Sequence, residues 1–114
     1  MTTKSYNGWT NYETWVVNLW MDNDAGSQDY WRERAKEILE QTWENPSDMY
    51  TAEEQAVADL ASEIQQHHEE AKPEIPNSYG VFGDLISAAM SEVNWREIAA
   101  SLVKQEIVEM EGAK

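Results

Sequence analysis

The 114-residue chain contains no cysteine, and that absence excludes three kinds of site. Without thiols the protein cannot form a disulfide framework, bind zinc through thiolates or use a cysteine nucleophile. A cysteine-free chain fits a reducing compartment, where disulfides do not persist. We therefore expect a cytoplasmic protein.

Long hydrophobic runs are also missing. No stretch approaches the ~18 uninterrupted apolar residues that a membrane-spanning helix needs. Residues 1–9, which we expect to be an irregular lead-in, carry one lysine and lack the apolar segment of a signal peptide. These features predict a protein with neither a membrane anchor nor a secretory leader.

The short motifs that accompany catalysis are absent. The sequence has no Gly-rich phosphate loop, no Gly-x-Ser-x-Gly turn and no Cys–His pair. Because the chain has so many carboxylates, a pair of them in the sequence does not indicate a catalytic site. We therefore predict a binding protein rather than an enzyme, with no catalytic residues and no cofactor.

Basic residues are scarce, since eight lysines and arginines stand against 22 aspartates and glutamates, for a formal net charge of −14. Such a surface repels nucleic acids and anionic membranes and attracts basic protein surfaces. Solubility alone accounts for the same composition. The charge thus predicts no direct binding to nucleic acid or membrane, and it favours a partner protein with a basic surface.

The chain does contain helical periodicity. Apolar residues recur at i, i+3, i+4 and i+7, and six tryptophans and five tyrosines supply large side chains for a core. The pattern predicts an all-α single domain over residues 1–114, with about five helices packed around one Trp-rich core. We expect helices over 11–21, 27–43, 51–71, 81–90 and 94–110, and a proline-containing loop over 72–80.

Capping signals mark three of the helix starts. Thr10 and Thr51 each stand three residues before a glutamate, which is the spacing of a capping box. Asn94 is the expected cap of the last helix. These residues predict where the first, third and fifth helices begin.

The tryptophans fall into two groups by their spacing. Those on apolar helix faces are expected in the core, whereas those at the ends of elements are candidates for an exposed protein interface. The first group is Trp15, Trp20, Trp31 and Trp95, and the second is Trp9 and Trp43. The expected core face of the first helix is Tyr12, Trp15, Val16, Leu19 and Trp20, and that of the fourth is Phe82, Leu85, Ile86 and Ala89.

Acidic residues recur along one side of the second helix. Four helical residues span about 6 Å, which is near the separation of successive phosphates along a DNA strand. Like charges at this spacing repel each other by a few tenths of a kcal/mol. The row is therefore either a solvated helix face or a surface that binds a partner. The predicted partner-binding residues are Asp29, Glu33, Glu37, Glu40 and Glu44 on this helix, Asp59 and Glu63 on the third, and Trp9 and Trp43.

A set of three acidic residues matches part of a calcium-binding loop. Asp22, Asp24 and Glu33 stand at its first, third and twelfth positions. Gly26 occupies the fifth position, where a ligand belongs, and Ser27 occupies the sixth, where the sharp turn requires glycine. A helix end followed by a new helix start explains the same residues.

Two adjacent histidines, His67 and His68, are the remaining metal candidates. Neighbouring residues on a helix do not face each other, so the two rings do not form the i, i+4 pair that holds zinc on one helix face. We expect one ring at the edge of the core and the other in solvent. No metal site is predicted.

Residues 6–15 have the sequence Tyr-Asn-Gly-Trp-Thr-Asn-Tyr-Glu-Thr-Trp and are followed by Asn-Leu-Trp at 18–20 and Asp-Asn at 22–23. Phe-Gly-Asp-Leu at 82–85 and Ser-Glu-Val-Asn-Trp-Arg-Glu-Ile-Ala at 91–99 complete the pattern. The chain resembles small acidic proteins with an Asn-Tyr-Glu-Thr-Trp signature, mostly of unknown function, scattered over phages, plasmids and other mobile elements. The resemblance implies a context of accessory or anti-defence genes, and the host-cell cytoplasm as the location of a phage-encoded protein.

Size and charge also resemble the DNA-mimic inhibitors that act against restriction and CRISPR enzymes. Our leading hypothesis is an anti-CRISPR or anti-restriction factor that occupies the basic nucleic-acid-binding surface of a host defence protein. The alternative is a structural or adaptor protein, compatible with a homodimer, that binds through an exposed aromatic patch around Trp9 or Trp43. A calcium-responsive or metal-dependent module at Asp22, Asp24 and Glu33 is a third hypothesis.

Overall fold

The structure, a computed structural model, describes residues 6–71 and 80–112. The all-α prediction is confirmed, and every expected helix is present with its ends within two residues of those predicted. Within the described ranges there is no strand, only an isolated bridge between Tyr6 and Trp9. Residues 72–79 of the expected loop lie outside the described residues. The helices are α1 (Tyr12–Asn23), α2 (Ala25–Glu44), α3 (Ala52–Ala71), α4 (Val81–Glu92) and α5 (Trp95–Gly112).

The core lies where α2, α3 and α5 pack against one another. Each of these helices has an apolar stripe at helical spacing and a polar opposite side, so burying the stripes together removes them from water. Trp31 and Trp95 are the two tryptophans in this core, and the other large members are aliphatic. The fully buried large side chains that join them are Leu39, Leu60, Ile64, Ile98 and Val103.

The helix α1 packs on α2, α4 and α5, and it does so with a different face from the one predicted. Thr14 and Met21 are buried and Val17 packs against the core, whereas Tyr12 and Trp20 are exposed. The prediction that Trp20 belongs to the core is therefore wrong. It failed because apolar residues occupy both sides of α1, and a threonine completes the side that is buried.

The helix starts follow local capping chemistry. At α3 the predicted capping box is confirmed, since Thr51 Oγ1 accepts the Glu54 N–H (3.1 Å) and Glu54 Oε1 accepts the Thr51 N–H (3.0 Å). These hydrogen bonds also hold the pKa of Glu54 below its usual range. At α1 the predicted cap is wrong by one residue, because Asn11 rather than Thr10 accepts the N–H of Thr14 (2.9 Å).

The predicted cap of α5 is also confirmed, with Asn94 Oδ1 accepting the Glu97 N–H at 3.0 Å. Two residues, Val93 with an extended backbone and Asn94, separate α5 from α4, so the chain does not continue as one long helix. Across the described ranges no helix is both long and apolar enough to cross a membrane.

Candidate protein-binding surface

The acidic row of α2 forms a ridge that points away from the core. All its members are exposed, and the residues on the opposite side of the helix, from Trp31 to Thr42, are buried. From its first to its last carboxylate the row extends about 22 Å along the helix axis. We call this row the acidic ridge; it consists of Asp29, Glu33, Glu37, Glu40 and Glu44.

Arg34 ties the middle of the ridge to α3. Its guanidinium donates to both carboxylate oxygens of Glu63, at 2.9 and 2.6 Å, and to Glu37 Oε1 at 3.1 Å. The hydrogen bonds with Glu63 raise the pKa of Arg34 further above its usual range. Glu63 thus has an intramolecular partner, and Glu37 shares it, so these two predicted contact residues are partly neutralised within the chain. Asp59, the other predicted residue of α3, accepts a hydrogen bond from Gln55 (2.9 Å) and is exposed.

The C-terminal end of the ridge carries carboxylates without such a partner. Among the described residues no basic side chain makes an ion pair with Glu40 or Glu44. Trp43 stands between them in the last turn of α2 and is exposed, as predicted. Met49 and Tyr50, in the connection to α3, are also exposed. Sequence analysis missed these two residues, although large apolar side chains in a short polar connection are a usable signal.

Trp9, the second tryptophan predicted to be exposed, is partly buried and packs against the core. The turn at Asn7 and Gly8, both with positive φ, folds the chain back so that Tyr6 and Trp9 exchange backbone hydrogen bonds of 3.0 and 2.7 Å. This local hairpin directs Trp9 toward α5, where it lines a groove with Ala100 and Lys104. Trp9 is therefore a packing residue, and the prediction of its exposure is wrong.

The two other basic residues of α2 lie beside a groove of about 480 Å³ between α2 and α5. Arg32 and Lys36 line this groove together with Asp29, Glu33 and Glu106. Glu106 is a buried carboxyl that the sequence pattern did not single out. Its burial raises the pKa, as does the nearby Glu109, while the charges of Arg32 and Lys36 lower it.

Because the folded-state pKa of Glu106 is raised, the folded chain holds this proton more tightly than the unfolded chain does. The stability that comes from the protonated carboxyl is fully present below the unfolded pKa and is lost as pH rises through the folded pKa. We expect Glu106→Gln to increase the free energy of unfolding at pH 7 slightly, by about 0.5 kcal/mol. The gain over the native chain should vanish below the unfolded pKa of glutamate, where the carboxyl is protonated in both states. Urea unfolding at several pH values measures this, and Glu111→Gln, an equal charge change at an exposed site, serves as the control.

The candidate metal ligands serve structural purposes. Asp24 caps α2 by accepting the N–H groups of Gly26 and Ser27, and Asp22 accepts a hydrogen bond from Asn18. This arrangement is the helix end and new helix start that the sequence allowed for. In the described part of the chain, no three His, Asp or Glu side chains are close enough to hold a metal ion.

The two histidines divide as expected. The half-buried His68 donates from Nδ1 to the Ile64 carbonyl (2.8 Å), and its ring lies 5.4 Å from that of Trp95. Burial lowers the pKa of His68. The exposed His67 contacts Trp31 edge-on, with ring centroids 5.4 Å apart.

The Asn-Tyr-Glu-Thr-Trp signature contributes a structural clamp. Asn11 Nδ2 donates to the carbonyl of Glu92 (2.7 Å), and Thr14 Oγ1 accepts the N–H of Asn94 (2.8 Å). Thr14 Oγ1 also donates to Asn11 Oδ1 (2.6 Å). We call these four residues the α1 clamp, because they fasten the start of α1 to the joint between α4 and α5. Two residues of the signature, Asn11 and Thr14, therefore hold elements of the fold together.

The model of a family of unknown function (DUF7249) matches residues 2–113, which is nearly the whole chain. No curated protein and no solved structure matches the chain. The family brings no assigned activity, so a functional hypothesis has to rest on the surface geometry described above.

Proposed function

We propose that this chain, which belongs to the family of unknown function DUF7249, is a binding protein that docks its acidic ridge onto the basic surface of another protein. The observation that carries the proposal is the exposure of all five ridge carboxylates on the side of α2 opposite the core. A row of like charges is locally unfavourable. A basic partner surface offsets that repulsion, whereas solvent only screens it.

The flanking cations offset only the N-terminal part of the ridge. Arg34 is bound to Glu63 and Glu37, and Arg32 and Lys36 line the groove toward α5 together with Asp29 and Glu33. Glu40 and Glu44, which make no ion pair with another described residue, lie at the other end of the ridge, next to the exposed Trp43. Carboxylates with an adjoining exposed aromatic side chain are suited to a basic surface that also offers an apolar pocket.

The partner class that fits this chemistry is a nucleic-acid-handling protein. Carboxylates about 6 Å apart along a helix approximate the spacing of phosphates along a strand, so the ridge would occupy a channel meant for DNA or RNA. In this proposal the protein inhibits its partner by exclusion and performs no catalysis. A host defence nuclease in the cytoplasm of a phage- or plasmid-bearing cell is the partner that the proposal favours.

The test begins with capture on the immobilised protein from a bacterial lysate depleted of nucleic acid. We expect a retained protein that elutes between about 0.15 and 1 M salt, where the screening length falls from ~8 to ~3 Å, and that duplex DNA or RNA displaces. With that protein purified, the double variant Glu40→Lys, Glu44→Lys should bind at least about tenfold more weakly than the native chain. Neither residue makes an ion pair within residues 6–71 and 80–112, so the fold should be unaffected.

The matched control is the double variant Glu69→Lys, Glu111→Lys, which changes the net charge by the same amount at exposed positions of α3 and α5 that do not line the groove beside the ridge. Equal losses in the two variants would show that total charge, not the ridge, governs binding. If the ridge variant binds the partner as tightly as the native chain does, the ridge is only a solvated helix face. If the captured protein stays bound in 1 M salt and nucleic acid does not displace it, the result would instead favour an adaptor that binds through Trp43, Met49 and Tyr50.

A further inference from the structure

The buried side of α5 ends in a carboxyl group. Its buried residues recur at helical spacing and are apolar as far as Val103, but the next position of the same stripe is Glu106. Glu106 is only 6% exposed, although a glutamate is almost never buried so fully without a partner. Within residues 6–71 and 80–112 its carboxyl makes no hydrogen bond and no ion pair. A buried carboxyl without a partner destabilises the fold, and residues that do so are often residues of a binding site.

The Glu106 carboxyl faces the groove of about 480 Å³ between α2 and α5. The charged residues that act on it all line this groove, and they are Arg32, Glu33, Lys36 and Glu109. The oxygens of Glu106 are not among the fully enclosed, unpartnered oxygens of the described residues, so the carboxyl keeps a narrow access to solvent. The groove is therefore the route by which a ligand reaches this carboxyl.

The charges of the groove favour a cation. Four carboxyl groups line it, against two basic side chains. Neither Arg32 nor Lys36 forms an ion pair with Glu106, so both lie near the carboxyl without binding it. Among the described residues no three carboxyl or imidazole groups are close enough to hold a metal ion. An organic cation, which a single carboxylate binds through charge-assisted hydrogen bonds, suits the groove better than a metal ion does.

Among organic cations, a guanidinium group is the best match to a buried carboxylate. It is planar, it donates two parallel hydrogen bonds to one carboxylate, and it is more weakly hydrated than an ammonium group. Met110 lines the groove one turn beyond Glu106 and offers an apolar contact to the aliphatic part of an arginine side chain. Asp29 and Glu33, which also line the groove, belong to the acidic ridge. The groove is thus continuous with the surface that we propose binds a basic partner.

We propose that the groove between α2 and α5 binds one arginine side chain of a partner protein, with the Glu106 carboxylate accepting hydrogen bonds from the guanidinium group. The origin of the arginine in a partner protein rests on the proposed function, because Asp29 and Glu33 belong to both surfaces. The binding of a guanidinium group does not rest on it and is measurable on the isolated chain. At this position the fit of one side chain, in addition to net charge, selects the partner.

Amide proton–nitrogen NMR spectra of the full chain, titrated with N-acetyl-arginine amide at constant ionic strength, test the site. We expect saturable shifts of amides around Glu106 and Met110 on α5 and around Glu33 on α2. A dissociation constant on the order of 1–10 mM is expected for a single side chain. Shifts that are absent, or that rise linearly without saturation, overturn the inference. They leave the proposed function standing, because its own test depends on Glu40 and Glu44. Probe binding by a chain that captures no basic protein would instead overturn the proposed function alone.

Matched variants locate the guanidinium. Glu106→Gln should weaken binding of the probe at least about tenfold, because a neutral amide loses the charge-assisted hydrogen bonds. Glu111→Gln, an equal change of charge at an exposed position of α5 outside the groove, should leave the affinity unchanged. Equal losses in the two variants would show that binding follows net charge and would contradict the assignment. Urea unfolding checks that Glu106→Gln is folded.

A second pair of variants tests the site independently of Glu106. Asp29 is exposed and lines the groove, whereas Asp48 is exposed in the connection between α2 and α3. Asp29→Asn should weaken binding of the probe by about two- to threefold, as suits an exposed charge pair, and Asp48→Asn should not change it. Similar effects of the two would place the probe elsewhere. N-acetyl-lysine amide, which has the same charge and backbone as the arginine probe, should bind more weakly; equal or tighter binding would rule out the preference for guanidinium.

Discussion

Leu60→Ala is expected to lower the free energy of unfolding by about 3–5 kcal/mol. Leu60 is completely buried near the middle of α3, the helix that packs against both α2 and α5. Truncation there removes transfer free energy and leaves a cavity that two opposing helices prevent from collapsing. Since domains of this size have only about 5–15 kcal/mol of stability in total, the loss is a large share of it.

Urea unfolding followed by circular dichroism measures the effect, and Leu85→Ala is the matched control. Leu85 is mostly exposed on α4, so its truncation should change the free energy of unfolding by less than about 0.5 kcal/mol. Similar losses would contradict the exposed position of Leu85, because they would mean that its side chain contributes as much to stability as a core leucine.

The sequence was sufficient for the helices whose two sides differ in polarity. In α2 the apolar stripe that includes Trp31 and Leu39 alternates with carboxylates, so the core face and the acidic ridge follow from one periodicity. In α5 the apolar residues that recur at helical spacing from Trp95 to Val103 are buried for the same reason. The exposure of Glu40, Glu44 and Trp43 needed no knowledge of the tertiary structure.

The sequence was insufficient where both sides of a helix are apolar. In α1, Trp20 and Met21 are neighbours, and periodicity favoured the larger aromatic face. The buried side is decided by the hydrogen bonds of Thr14, whose partner Asn94 is 80 residues away in the chain. The exposure of the apolar side of α4 could not be predicted for a similar reason. The spacing of its apolar residues predicts one buried face, but the spacing does not show whether another helix lies close enough to cover that face.

Ion pairs between residues far apart in the chain also could not be predicted from the sequence, and they change the charge of the candidate surface. The ion pair between Arg34 and Glu63 depends on how α2 lies against α3, and spacing within one helix does not contain that information. Without it, Glu37 and Glu63 appeared equivalent to Glu40 and Glu44 as contact residues. The structure separates them, and for this reason the charge reversals proposed above are placed at the C-terminal end of the ridge.

Thr14→Val is the second substitution with a large expected effect, and it tests the α1 clamp. Valine keeps the shape of threonine but removes the hydroxyl, which donates to Asn11 Oδ1 and accepts the N–H of Asn94. Thr14 is completely buried, so the N–H of Asn94 loses its partner where water does not readily replace it. We expect a loss of about 2–3 kcal/mol, which lowers the melting temperature by about 10 °C.

The control for the clamp is Thr42→Val, which removes another buried hydroxyl. Thr42 Oγ1 donates to the carbonyl of Leu39 within α2 (2.8 Å), a bond made inside a single helix, so its loss leaves no long-range donor unpaired. The expected loss is about 1 kcal/mol or less. If the two valine variants melt at the same temperature, the hydrogen bond to Asn94 does not hold α1 in place. If Thr14→Val alone melts early and hydrogen exchange at Asn94 accelerates, the signature residues stabilise the fold by fastening α1 to the joint between α4 and α5.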